Sequence, residues 1–150
     1  MYKKILVPLD GSKLAEAILP HVGELAHRFD ANIIFLMIIE PIKVYGSIDS
    51  YVPSYETLQH HHNMAVNKAK TYLQSLAEEF HEKSISARTI VEEGPIVSTI
   101  IEVANRETVD LIAMASHGRT GLSHVFYGSV AAGVLHRIDR PLLLIRAGDK

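Results

Sequence analysis

Asn32-Ile33-Ile34-Phe35-Leu36-Met37-Ile38-Ile39 is an asparagine followed by an unbroken run of apolar side chains. The run is far shorter than the roughly 20 residues that a membrane span requires. It also lacks the apolar/polar alternation of a strand with one wet face. A strand that is apolar at every position is buried on both faces, which is the condition of strands in parallel sheets covered by helices on either side. Working outward, four more segments of strand length can be read: Lys3 to Leu9, Ile85 to Val91, Leu111 to Ala115 and Leu142 to Ile145. The third of the five in chain order, Ile85 to Val91, is more polar and is expected at a sheet edge.

Between these strands lie longer segments with helical period. Leu14, Ile18, Val22, Leu25, Ala26 and Phe29 recur at three- and four-residue steps, predicting a helix over Lys13 to Phe29 with a kink at Pro20. A second helix, Thr57 to Phe80, carries Ala65, Ala69, Tyr72, Leu73, Leu76 and Phe80 on its apolar face. A third is expected to begin at Pro95, with Ile96, Ile100, Ile101 and Ala104 inward. A fourth shows Val130, Val134, Leu135 and Ile138. Strands alternating with helices predict βαβ units on an open parallel sheet. The long connection Pro41 to Tyr55 is of the sort that forms a lid, a binding loop or a mobile segment.

At 150 residues the chain is expected to form one domain, 1–150, with a single core. Its 47% hydrophobic and 21% charged content is that of globular proteins. Net charge is -2 with scattered lysines and arginines, and that argues against nucleic acid and anionic membrane as partners. The absence of cysteine excludes disulfides, thiolate metal sites and a thiol nucleophile. The run Ile5-Leu6-Val7, stopped by Pro8, is too short for a signal-peptide core, and a cytoplasmic location follows by elimination.

Ligands of open parallel sheets bind beyond the carboxyl ends of the strands, where strand order reverses. Two polar, turn-rich segments fall there: Pro8-Leu9-Asp10-Gly11-Ser12 after strand one, and Met114-Ala115-Ser116-His117-Gly118-Arg119-Thr120-Gly121 after strand four. The second leads to Tyr127-Gly128-Ser129-Val130, where the fourth helix must start. Helix starts present unpaired amides and the positive end of the dipole, and small residues let an anion approach them. About four charge-assisted hydrogen bonds of roughly 1.5 to 3 kcal/mol each would support micromolar phosphate binding. The alternative is that Gly118 and Gly121 make a tight turn and Ser129 caps the helix.

The sequence resembles the universal stress protein family over nearly its whole length. The resemblance runs from Lys4-Ile5-Leu6-Val7-Pro8-Leu9-Asp10-Gly11-Ser12, through Ser116-His117-Gly118-Arg119-Thr120-Gly121-Leu122, to Arg140-Pro141-Leu142-Leu143-Leu144-Ile145. Nucleotide-binding members carry Gly, two residues, Gly, nine residues, then Gly-Ser or Gly-Thr. Here Gly118, Arg119 to Tyr127, and Gly128-Ser129 match, while Ala115 replaces the first glycine. If that position needs a positive φ, alanine costs about 1 to 2 kcal/mol; if it merely ends strand four, it costs almost nothing.

The resemblance implies an adenine nucleotide alpha hydrolase-like fold of five parallel strands, order 3-2-1-4-5, with four helices. It also implies an ATP-binding regulatory module of the stress response, the ligand being ATP with or without Mg²⁺, AMP or a cyclic relative. Asp10, flanked by Pro8 and Leu9, would face the ribose or adenine, or else act as a turn or cap acid. Ile38 would present backbone groups to the adenine edge, and Met114 would line the base pocket. Ala115, Gly118, Arg119, Gly128, Ser129 and Val130 would surround the phosphates, with Ser116 and His117 nearby. Homodimers would form through Leu142 to Ile145, an apolar edge strand in isolation. Nucleotide would act by population shift, favouring one state of the Arg119 to Tyr127 loop and of the Pro41 to Tyr55 segment.

A slow ATP hydrolase or phosphotransfer enzyme and a nucleotide-free dimeric interaction module are the rival readings. No G-x-x-x-x-G-K-[ST] loop, no G-x-G-x-x-G after strand one and no G-x-S-x-G elbow occurs. His60-His61-His62 are consecutive on a helix, about 100° apart, and cannot converge on one metal. His117, His124 and His136 lie around the loop and the fourth helix, without an orienting acid in evident spacing. Glu78, Glu79, Glu82, Glu92 and Glu93 are expected on the solvated surface.

Overall fold

The computed structural model describes residues 1–41, 54–116 and 128–147. Five strands form one parallel sheet: β1 (Lys4–Leu9), β2 (Asn32–Ile39), β3 (Ala87–Glu93), β4 (Leu111–Ala115) and β5 (Leu142–Ile145). Their order is β3-β2-β1-β4-β5, and every pair is parallel. Four helices connect them: α1 (Leu19–Phe29), α2 (Tyr55–Glu82), α3 (Ile96–Arg106) and α4 (Ser129–Arg137).

Successive strand residues point to opposite faces, and both faces are covered. Ile5, Val7, Phe35 and Met37 pack with Val22 and Ala26 of α1 and Leu73 and Phe80 of α2. Leu6, Ile34, Leu36 and Ile112 pack with Ile100 and Val103 of α3 and Val134 of α4. This double burial is why β1, β2 and β4 read as continuous apolar runs. The rings of Phe35 and Phe80 meet edge to face at 5.1 Å, joining the central sheet to α2. α3 and α4 lie close because Gly133 leaves room for Val97; a Cβ at Gly133 would stand 2.7 Å from its Cγ2.

At the amino ends of the strands, the Asp110 carboxylate accepts the backbone N–H groups of Lys3 and Lys4, both at 2.8 Å, and ties β1 to β4. These amides hold its pKa below the ordinary carboxylate range. The Arg140 guanidinium donates to the carbonyls of Ala104 and Val109 and closes the α3 end against β5.

Three expectations shift. Lys13 to Phe29 is not one kinked helix: a 3₁₀ turn at Ala15–Ile18 precedes α1, and Pro20 falls in the first turn of α1, where a missing N–H breaks no intrahelical bond. Pro95 is the residue before α3, extended at φ -63° and ψ 137°, rather than its first helical residue. β3 begins two residues later than Ile85, because Ser84 turns at φ 62° and the buried Ile85 bonds back to Phe80. Its edge position agrees with its polarity.

Candidate functional site

Chain order reverses on either side of β1, which lies between β2 and β4. β1 pairs with β2 along its full length, from Lys4 against Asn32 to Leu9 against Met37. Its ladder with β4 holds only Ile5 against Leu111 and Leu6 against Ile112. Proline explains the difference. The Lys3 carbonyl accepts from Asn32 and the Lys4 carbonyl from Asp110, so even-numbered β1 residues turn their backbone groups toward β4. At Pro8 that side has no N–H to give and the β1–β4 ladder has stopped, at the order reversal where doubly wound sheets leave a crevice beyond their strand ends. A proline within a central-strand pattern was the available signal for this role.

On one side of the crevice the chain turns sharply after Leu9. Gly11 adopts φ 84°, and a Cβ there would meet the Met37 methyl at 3.3 Å. The Asp10 carboxylate oxygen Oδ1 accepts from the Ser12 amide at 2.9 Å and from its hydroxyl at 2.6 Å. The Ser12 Oγ in turn accepts from the Ala15 amide at 3.1 Å and starts the 3₁₀ turn. Asp10 is thus a turn acid and remains half-buried at the mouth of the crevice.

On the other side, Met114, Ala115 and Ser116 are buried. Ala115 ends β4 opposite Ile145 and is not among the non-glycine residues with positive φ, so its methyl meets no backbone penalty. The Ser116 N–H donates to the Ile145 carbonyl at 2.7 Å, and the Gly128 N–H donates to the Ser116 carbonyl at 2.7 Å. The start of α4 is therefore fixed directly beside the end of β4. Gly128 is the cap residue, extended at φ -64° and ψ 160°, with no side chain to cap the helix. The first bond of the helical turn runs from the Ala132 amide to the Gly128 carbonyl. The amides of Ser129, Val130 and Ala131 lie ahead of it, at the positive end of the helix dipole, with no acidic residue in that turn.

Pro8, Leu9 and Asp10 thus lie at the carboxyl end of β1, Met114, Ala115 and Ser116 at that of β4, and Gly128, Ser129 and Val130 at the start of α4 beside it. Ile38 is near the end of β2, half-exposed. His117, Gly118 and Arg119, like His124, Gly121 and most of the Pro41 to Tyr55 connection, lie outside the described residues.

Two surface contacts join helices to the end of β3. His62 Nε2 stands 3.3 Å from Glu93 Oε2, linking α2 to the end of β3, and Glu92 accepts a hydrogen bond from Arg106. Among the described residues no group of three or more His, Asp and Glu side chains could hold a metal ion. A shallow cleft of about 590 Å³ between α2 and β3, bordered by Lys70, Glu78, Thr89 and Val91, lies on the outer sheet edge rather than at the strand crossover. Among the described residues no helix is long and apolar enough to cross a membrane.

An open parallel sheet whose chain order reverses at β1, with the start of α4 fastened beside the end of β4, defines a doubly wound α/β protein. More particularly, the chain belongs to the universal stress protein family, whose sequence profile matches residues 1–146. It is 30% identical over 152 residues to the universal stress protein MJ0531 of Methanocaldococcus jannaschii, covering 100% of this chain and 85% of that one. With MJ0577 of the same organism it shares 28% identity over 155 residues, covering 97% and 96%. The solved structure of MJ0577 superposes with a TM-score of 0.84 over 100% of this chain and 99% of that one. Two more distant structures share the fold. One is a universal stress protein in complex with cAMP, at TM-score 0.63, 17% identity and 98% coverage of both chains. The other is an Arabidopsis thaliana family protein with AMP bound, at TM-score 0.65 and 15% identity, covering 97% and 92%.

Proposed function

We propose that this chain binds an adenine nucleotide, ATP foremost, in the crevice between β1 and β4 and acts as a nucleotide-responsive regulatory module of the stress response. The observation that carries the reading is the start of α4. Its leading amides have no side-chain cap at Gly128, and the Ser116–Gly128 hydrogen bond holds that helix start beside the end of β4. Such amides suit a phosphate, and the buried Met114 offers an apolar wall for a base. AMP and cAMP in the two related structures support an adenine ligand. His117, Gly118 and Arg119 would complete the phosphate side.

We assign no catalytic residue, and the whole chain, 1–150, would work as one cytoplasmic domain. β5 is the edge strand next to β4, and its four apolar residues are all half-buried. A second copy pairing along Leu142 to Ile145 would cover them, giving a homodimer that light scattering at micromolar concentration would detect. The function is tested by mass spectrometry of any small molecule released from the freshly purified, denatured protein. Calorimetric titration with ATP, AMP and cAMP completes the test. Micromolar binding of at least one is expected, and heats indistinguishable from dilution for all three would refute it.

A further inference from the structure

The turn that carries Asp10 is braced from outside the crevice. The Tyr72 hydroxyl, on α2, donates to Glu16 Oε2 at 2.6 Å across 56 residues of sequence. The Glu16 amide donates to the Ser12 carbonyl at 3.3 Å, and Ser12 donates twice to Asp10. A continuous chain therefore runs from the middle of α2 through Glu16 and Ser12 to the Asp10 carboxylate.

The Tyr72 ring packs against the core on the α1/α2 face of the sheet while its hydroxyl reaches out to the turn, the usual division of labour in a partly buried tyrosine. A hydroxyl donating to a carboxylate at this distance is a charge-assisted bond, stronger than a neutral one. Burial first, then the Glu16 hydrogen bond and the charges of Glu16, Asp10 and Glu79, push the hydroxyl's pKa up, so it stays a donor at all ordinary pH. Among the described residues the other Glu16 oxygen, Oε1, meets the exposed Lys13 ammonium, at 3.4 Å. Among the described residues, the Tyr72 bond ties Glu16 to α2.

We propose that Tyr72 is a positioning residue for the nucleotide site: through Glu16 and Ser12 it fixes the orientation in which Asp10 meets its ligand. The inference rests on the nucleotide reading above. Tyr72→Phe keeps the ring and its packing and deletes only the donor. Its ATP affinity is expected to fall about fivefold, the equivalent of one ordinary net hydrogen bond. In the ligand-free protein, amide hydrogen exchange at Ser12 and Ala15 is expected to speed up.

The decisive comparison is made in an Asp10→Ala background. With no carboxylate left to orient, Tyr72→Phe is expected to weaken ATP no further, whereas a general loosening of the fold would weaken it in both backgrounds. Equal ATP affinity for wild type and Tyr72→Phe, or equal losses in the two backgrounds, would overturn the inference and leave the nucleotide reading standing. Absence of any adenine nucleotide binding by wild type would remove both.

Discussion

Replacing Gly128 by aspartate is expected to make the protein more stable and nearly abolish nucleotide binding. Gly128 has ordinary extended angles, φ -64° and ψ 160°, so a side chain meets no backbone penalty there. It caps α4 without a side-chain acceptor, and aspartate is among the best residues for that position. Capping contributes a few tenths of a kcal/mol over glycine. The dipole interaction adds about 0.3 to 1 kcal/mol, and loss of glycine's freedom in the unfolded chain about 0.4 to 1 kcal/mol. A net gain near 1 kcal/mol raises Tm by roughly 2 to 4 °C in a domain of this size.

The same carboxylate would occupy the Val130 or Ala131 amide, where a phosphate is proposed to bind. Losing even one charge-assisted bond costs about 1.5 to 3 kcal/mol. Repulsion between unit charges roughly 5 Å apart adds about 3 kcal/mol at an effective dielectric of 20. ATP affinity should therefore fall more than about 100-fold, while adenosine, lacking phosphates, should bind within about threefold of wild type. Thermal melts without ligand, together with calorimetric titrations of ATP and adenosine, read both signs. ATP binding retained within threefold would refute the phosphate cradle, and a clear drop in ligand-free Tm would refute the cap geometry.

Pro8→Val restores an N–H aimed at β4 and should let the β1–β4 ladder lengthen. ATP affinity is expected to fall roughly 3- to 10-fold as a closed crevice competes with binding, with Tm unchanged or higher; unchanged affinity would show that the proline does not open the crevice. Gly133→Ala should destabilise by about 1 kcal/mol or more through the clash with Val97. In a Val97→Ala background the sign should reverse, since alanine is the better helix former by up to roughly 1 kcal/mol; denaturant midpoints decide, and the same sign in both backgrounds would refute the contact.

Asp110 has a depressed folded pKa, so its contribution to stability is present above the ordinary carboxylate pKa and is lost as pH falls through the lower folded value. Asp110→Asn should lower the urea midpoint near neutrality and flatten its decline between about pH 5 and pH 3. Superimposable curves for the two proteins would contradict the assigned cause.

How much could be read in advance differs from element to element. β2 and β4 were legible because burial on both faces leaves no polar position, and that pattern has no other common explanation in segments so short. The edge position of β3 followed from its polarity for the same reason. Segment boundaries at Pro20, Ile85 and Pro95 were misplaced by sequence reading. An apolar residue in a turn, such as Ile85, packs as well as one in a strand, and proline fits a helix's first turn as readily as it breaks its middle.

The sequence by itself determined the layered α/β architecture and the family, because hydrophobic period and short motifs are local properties of the chain. Only the tertiary structure decided that β1 and β4 part after Leu6, that Gly128 is fastened to Ser116, and that Tyr72 braces the Asp10 turn through Glu16. Each of these is a hydrogen bond made, or denied by a proline ring, between residues remote in sequence. Their geometry exists only once the sheet has set the strands side by side and α2 has packed across them.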